Sequence, residues 1–398
     1  MARGSRSKKK RGGRRRSPAA ELTDDLLVEI LSRAPYKSVC RSRCVCKRWD
    51  ALISHPDHRR RLPQSLVGFF YTSYDAARFP EKARHFANAS PARRPAVDPS
   101  LSFLPAHDGD RLRLLDSCNG LLLCRCFGPD DSDEFNYVVV HPAAERWVVV
   151  PGARRWTDKR QHTVRLGFDP AVSSHFHVFE FETDDDQEGA GNDDGEHAVG
   201  AKIYSSETRA WSHKNSGWEI ESLIITIECR SVFLDGMLYS VADDTVIAAV
   251  DVEGKNWRII EMPQSEDPNY YPGDGFIGLS QGRLYFANPD DVVTDKLAIW
   301  VLWVLEDSVR GKWTLKHTVS FMHLVGRKHV HFGFGEFIVI SIHPERNLVF
   351  FVFGGDKTLM SYDMDSGNVR VIRVLGRNCE EPYLPYVHLL SESLADGK

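Results

Sequence analysis

The sequence predicts a multidomain chain, a small all-α module near the N-terminus followed by an all-β propeller of about six blades. Three observations predict it. Apolar residues recur at helical spacing between residues 22 and 56. Beyond residue 65 the pattern changes to short runs rich in Val, Ile, Phe, Tyr and Trp, with turn residues between them. Along that second part a unit of two hairpins repeats. The resulting organisation is a basic tail over 1–20, a three-helix module over 21–60 and a propeller over 66–395.

Composition excludes several classes. A chain of 398 residues with 42% hydrophobic and 27% charged residues can bury a large core, so it is not a mostly disordered protein. The longest uninterrupted apolar run, Leu297 to Leu305, is nine residues. A bilayer-spanning helix needs about 20, so no membrane partner is expected. The N-terminus has no apolar stretch of the secretory kind. Eight sparse, irregularly spaced cysteines fit reduced thiols in the nucleus or cytoplasm better than a disulfide scaffold.

The net charge of −4 conceals an asymmetry, because residues 1–16 carry nine Lys or Arg and no acid. With only Gly and Ser between the charges there is nothing to bury, so a disordered arm is expected. Lys8, Lys9, Lys10 and Arg11, then Arg14, Arg15 and Arg16, form two basic blocks of the kind that direct nuclear import. No base-reading module follows them, so no specific nucleic-acid partner is expected.

In the helical module Thr23 is placed to cap a helix, with Asp24 and Asp25 in its first turn facing the positive end of the helix dipole. Leu22, Leu26, Leu27, Ile30, Leu31 and Ala34 give that helix an apolar face, and Pro35 ends it. A second amphipathic stretch runs through Val39, Cys40, Cys44 and Val45. A third runs through Trp49, Leu52 and Ile53 until Pro56 closes it, with Arg41, Arg43, Lys47 and Arg48 on the polar side. About 35 residues make a meagre core, which leaves apolar surface for a partner. The order Leu22, Ile30-Leu31-Ser32, Pro35, Arg41, Val45, Lys47-Arg48-Trp49, Leu52 resembles an F-box. Thr23 replaces the usual Pro, and Ala34 the usual Leu, which shortens one anchor. The resemblance implies docking onto the Skp-type adaptor of a cullin-RING ubiquitin ligase, and so an indirect cullin partner. It implies contact through Leu22, Leu26, Leu27, Ile30, Leu31, Pro35, Val45 and Trp49.

The repeated β unit is an apolar strand, a polar turn, and a strand that opens on an aromatic or branched residue. Its key positions are Trp147, Trp211, Trp257, Trp313 and Val369, spaced 64, 46, 56 and 56 apart. A tighter hairpin precedes most of them, at Asn119-Gly120, Asp235-Gly236, Gln281-Gly282 and, more loosely, Glu345-Arg346-Asn347. Two hairpins make four strands, one propeller blade. Five blades fall at about 111–150, 162–213, 223–262, 275–320 and 335–375, and a sixth joins the strand at Tyr386–Leu390 to strands from 66–105. Such a ring hides its sheet edges. The stretches Asp116-Ser117-Cys118-Asn119-Gly120-Leu121-Leu122, His141-Pro142 with Arg146-Trp147, and Leu166-Gly167-Phe168-Asp169 resemble the F-box-associated, kelch-like β-propeller of plant proteins. His141 stands where that family usually has Asn.

Chemistry motifs dissolve on inspection. Gly278-Leu279-Ser280-Gln281-Gly282 has the spacing of a nucleophile elbow, but a strand follows where the elbow needs a helix. Cys40, Cys44 and Cys46, and Cys124 with Cys126, lack paired zinc-site spacing, and His323, His329, His331 and His343 are scattered by strands and turns. The acidic run Asp184 to Glu196 has Gly195 where a calcium loop needs its glutamate. It reads as an insertion, which explains the spacing of 64. Gly333-Phe334-Gly335 is no phosphate cradle. The expectation is no catalytic residue, no metal and no cofactor. The protein is then a non-enzymatic substrate receptor whose propeller holds an unidentified target. The competing expectation is a propeller enzyme or carbohydrate-binding module with structural N-terminal helices. Recognition loops are expected around 154–160, 184–197 and 264–274.

Overall fold

The computed structural model describes residues 22–34, 36–59, 61–90, 94–104, 111–128, 134–155, 163–183, 198–215, 231–242, 246–263, 275–289, 295–302, 312–328, 330 and 336–389. It divides into two compact units, Met1–Pro63 and Gln64–Lys398.

The first unit is helical: α1 (Asp24–Ser32), α2 (Tyr36–Arg43), α3 (Lys47–Ser54) and the short α4 (Pro56–Arg59). Pro56 both follows the end of α3 and opens α4, a position where its missing N–H costs nothing. Leu27 and Val28 of α1 pack with Leu52 of α3, and Leu22 and Trp49 cover that cluster. Thr23 occupies the N-cap position with extended backbone, but its side chain makes no capping hydrogen bond. Arg48 of α3 secures that end instead, donating to the Leu22 carbonyl at 2.7 Å and to Asp24 Oδ1 at 2.8 Å.

The second unit is a six-bladed propeller. Its first complete sheet is β3 (Leu112–Cys118), β4 (Leu121–Phe127), β5 (Glu134–His141) and β6 (Arg146–Arg155), following the two early strands β1 (Leu66–Tyr74) and β2 (Lys82–Asn88). The next is β7 (Val164–Gly167), β8 (His177–Thr183), β9 (Ala198–Ser205) and β10 (Ala210–Asn215). The third is β11 (Ser231–Leu234), β12 (Met237–Ala242), β13 (Val246–Asp251) and β14 (Trp257–Glu261). The fourth is β15 (Phe276–Ser280), β16 (Arg283–Pro289), β17 (Lys296–Leu302) and β18 (Trp313–Ser320), after which comes the short helix α5 (Phe321–Val325). The fifth is β19 (Phe337–Ile342), β20 (Leu348–Phe353), β21 (Thr358–Asp363) and β22 (Val369–Val374). The closing blade pairs the last strand, β23 (Cys379–Val387), with β1 and then β2.

Each blade is buried on both faces, which is why its central strands read as unbroken apolar runs. Period-two alternation sends Leu121 and Leu123 into the core shared with the second blade, while Leu122 and Cys124 enter the core shared with the closing blade. The other four inter-blade cores are built the same way. The tryptophans of the outer strands bridge neighbours. Trp211 Nε1 donates to Pro151 of the preceding blade at 2.7 Å, and Trp313 Nε1 to Glu261 at 2.8 Å.

β3, β7, β11, β15, β19 and β23 are adjacent in a ring. The ends of neighbouring inner strands lie together, Asn119 beside Phe168 and Ser280 beside His343, so these strands run the same way. The two-residue turns at 119–120, 235–236 and 281–282 therefore share one face. Their first residues take left-handed φ of 46°, 49° and 51°. Among the described residues the closing blade has three strands. In place of a fourth, the chain after β2 packs Val97, Leu101 and Leu104 into the core. Its last strand begins earlier than the expected 386–390, because Pro382 and Pro385 lie inside β23 rather than ahead of it.

Candidate functional site

Helix α1 is amphipathic in an unusual sense: both sides are apolar. Leu27, Val28 and Leu31 are buried. Leu26 and Ile30, one turn apart on another side, are 52% and 53% exposed, and Val45 between α2 and α3 is 62% exposed. Surface leucines are ordinary one at a time, but Leu26 and Ile30 stand as an aligned i, i+4 pair and so form one continuous apolar patch on the small module. Polar contacts hold the rest of the helix in place. Glu29 accepts from Arg33 at 2.5 Å and from Arg61 at 2.6 Å, and these hydrogen bonds hold its carboxyl below the usual range. Arg43 and Asp50 join α2 to α3 at 2.7 Å.

Of the residues singled out for docking, Leu26, Ile30 and Val45 are exposed, Leu22 and Trp49 are half-buried, and Leu27 and Leu31 are interior. Pro35 lies outside the described residues, as do Lys8, Lys9, Lys10, Arg11, Arg14, Arg15 and Arg16.

The propeller motifs fasten the ring. Asp116 on β3 accepts from the Leu166 N–H of the next inner strand and from the Ser117 N–H, both at 2.8 Å, and from Ser231 Oγ of β11 at 3.4 Å. Ser117 Oγ reaches the other way, donating to Pro385 of β23 at 2.8 Å. Asn119 Nδ2 donates to Phe168 at 2.7 Å. Groups from three other blades thus converge on one short stretch. Gly120 has φ of 91°, and a Cβ there would meet the Leu389 backbone and the Val387 carbonyl within 2.8 Å. His141 Nδ1 accepts from Ala144 N at 3.3 Å, the acceptor role an Asn side chain also performs in a turn.

The same geometry settles what Ser280 does. It ends β15, the chain turns through Gln281 and Gly282 into antiparallel β16, and its hydroxyl donates to the His343 carbonyl at 2.7 Å. Burial pushes the Cys118 and Cys124 thiols well above their ordinary range, so neither is a thiolate nucleophile. Among the described residues no group of three or more His, Cys, Asp or Glu is arranged to hold a metal ion. His323 Nε2 is bonded to the Gly367 carbonyl at 2.7 Å, whereas His329 and His331 lie outside the described residues. So does the acidic run from Asp184 to Glu196, with the rest of the candidate recognition segments 156–160, 184–197 and 264–274. No helix among the described residues is long and apolar enough to cross a membrane.

Comparison with known proteins agrees with both units. Residues 20–61 match the F-box domain, and residues 98–384 match the propeller described as F-box protein At3g26010-like. Similar relatives come from Arabidopsis thaliana. F-box protein At5g07610 is 25% identical over 82% of this chain and 76% of its own length. F-box protein At5g49610 is 24% identical over 82% and 87%, and the F-box/LRR-repeat/kelch-repeat protein At2g27520 is 28% identical over 37% of each. With a ring fastened at Asp116 and a helical module ahead of it, the chain belongs to the At3g26010-like F-box proteins.

Proposed function

We propose that this protein is the substrate-recognition subunit of an SCF-type ubiquitin ligase. Its helical module docks the Skp-type adaptor, and through it the cullin, while the propeller holds a target protein. The observation that supports this most is the exposed pair Leu26 and Ile30 on an otherwise well-packed helix. On this reading Leu26, Ile30, Val45 and Pro35 touch the adaptor, with Leu22 and Trp49 at the margin. Leu27 and Leu31 support that face from beneath. Covering the exposed half of a leucine or isoleucine is worth roughly 1 kcal/mol, so each contributes about fivefold in affinity, and an aspartate in its place adds the cost of desolvating a charge.

The subunit itself breaks and forms no bond. It acts by tethering, which raises the effective concentration of target lysines near a charged conjugating enzyme. The basic arm, with Lys8–Arg11 and Arg14–Arg16, directs import, so that the protein works in the nucleus as well as the cytoplasm. The test of the central reading is co-purification with a Skp-type adaptor. Leu26→Asp with Ile30→Asp should abolish it while the chain stays folded, and undiminished capture by that variant would place the docking face elsewhere.

A further inference from the structure

A cleft of about 650 Å³ opens between the second and third blades, on the face that carries the two-residue turns. It is built from chain segments far apart in sequence: the β7–β8 connection, the β9–β10 turn and the β13–β14 turn. None of these belongs to the segments that the sequence marks for recognition, whose flanking strands meet at the opposite face.

The chemistry of the walls is specific. Ile203 and Phe233 form an apolar floor. Val172 stands in the wall 58% exposed, an apolar side chain that nothing in the described chain covers well. The fixed charges around it are mostly acidic. Asp169, Glu207 and Glu253 line the cleft, and the one lining Lys, Lys255, is paired with Glu253 at 2.6 Å. Asp169 is partly used by its own turn, accepting from Ala171 N at 2.9 Å. Glu207 makes no ion pair among the described residues, and burial lowers the neighbouring His177 to about 4, so that imidazole does not offset it at neutral pH.

We propose that this cleft binds an extended peptide segment of the target that presents a branched aliphatic or aromatic side chain next to a Lys or Arg. The apolar side chain covers Val172 and the floor, and the cation reaches Glu207. An acidic peptide would meet like charge at the rim and is excluded. Only the word "target" rests on the ligase reading; the binding chemistry does not.

The experiment selects a random-sequence peptide display library on the full-length protein, then measures synthetic copies of the selected peptides by fluorescence anisotropy. The selected sequences should be enriched in Leu, Ile or Phe beside Lys or Arg. Their affinity should fall by about tenfold or more in E207K and in V172D, both at exposed positions that leave the blades intact, and should weaken with added salt. Absence of that enrichment would overturn the proposal, as would selected peptides that bind E207K and V172D as tightly as the natural protein. Adaptor capture is measured on the same samples. Its loss with peptide binding intact would contradict the ligase reading and leave the cleft standing.

Discussion

Single residues carry more of the ring than their size suggests. Asp116 satisfies the Leu166 N–H from a different blade, and its removal leaves that buried donor without a partner. Asp116→Ala should therefore destabilise the propeller by about 1–3 kcal/mol, read as a lowered urea midpoint, with Asp116→Asn losing less because one acceptor survives. A loss equal in the two variants would mean that charge, not the hydrogen bond, matters there. His343 supplies a pH effect. It is nearly buried, its Nδ1 accepts from Glu345 N at 3.1 Å, and burial with the nearby Arg346 charge lowers it from 6.5 to about 4. The unfolded chain takes up a proton below pH 6.5 that the folded chain refuses until about pH 4. Stability contributed by this group is thus complete above pH 6.5 and falls as pH drops toward 4. His343→Gln keeps an acceptor but does not titrate. It should flatten the stability–pH curve in that window by about 1–3 kcal/mol, and an unchanged slope would contradict the assignment.

At the scale of elements, α1 separates stability from binding. Leu27 is 1% exposed and Ile30 is 53% exposed on the same helix. Leu27→Ala should cost about 2–4 kcal/mol in the helical module, whereas Ile30→Asp should change its stability by no more than about 0.5 kcal/mol, both followed by thermal or urea unfolding of the full chain. This contrast also shows how far the sequence speaks. Helical spacing locates α1 and its apolar residues, but Leu26 and Leu27 are equally apolar as letters, and only packing against Leu52 decides which turns inward. The Asn-Gly, Asp-Gly and Gln-Gly turns are readable because their φ demands are local. β23 is less so. Pro382 and Pro385 look like breakers, yet an innermost strand is paired on one side only, here by β1, and can leave a proline nitrogen on its free side. The missing fourth strand of the closing blade was equally hidden, since Val97, Leu101 and Leu104 follow no period. The cleft could not be read at all, because Val172 and Glu253 meet only through inter-blade packing.

For the whole molecule, closure of the ring by its two ends is the decisive architectural fact: β23 sits between β19 and β3 while pairing with β1. Deleting residues from 379 onward strips the inner strand from the closing blade and exposes the edge of β1. That deletion should abolish cooperative unfolding and send the chain into aggregates, seen by size-exclusion chromatography. A monomeric, cooperatively folded product would contradict the closure. The most direct measurement is the affinity of the full-length protein for a purified Skp-type adaptor, with and without Leu26→Asp and Ile30→Asp. Tight binding by the natural chain and a loss of at least about a hundredfold in the double variant is the predicted result. No binding by the natural chain, or equal binding by both, would contradict it.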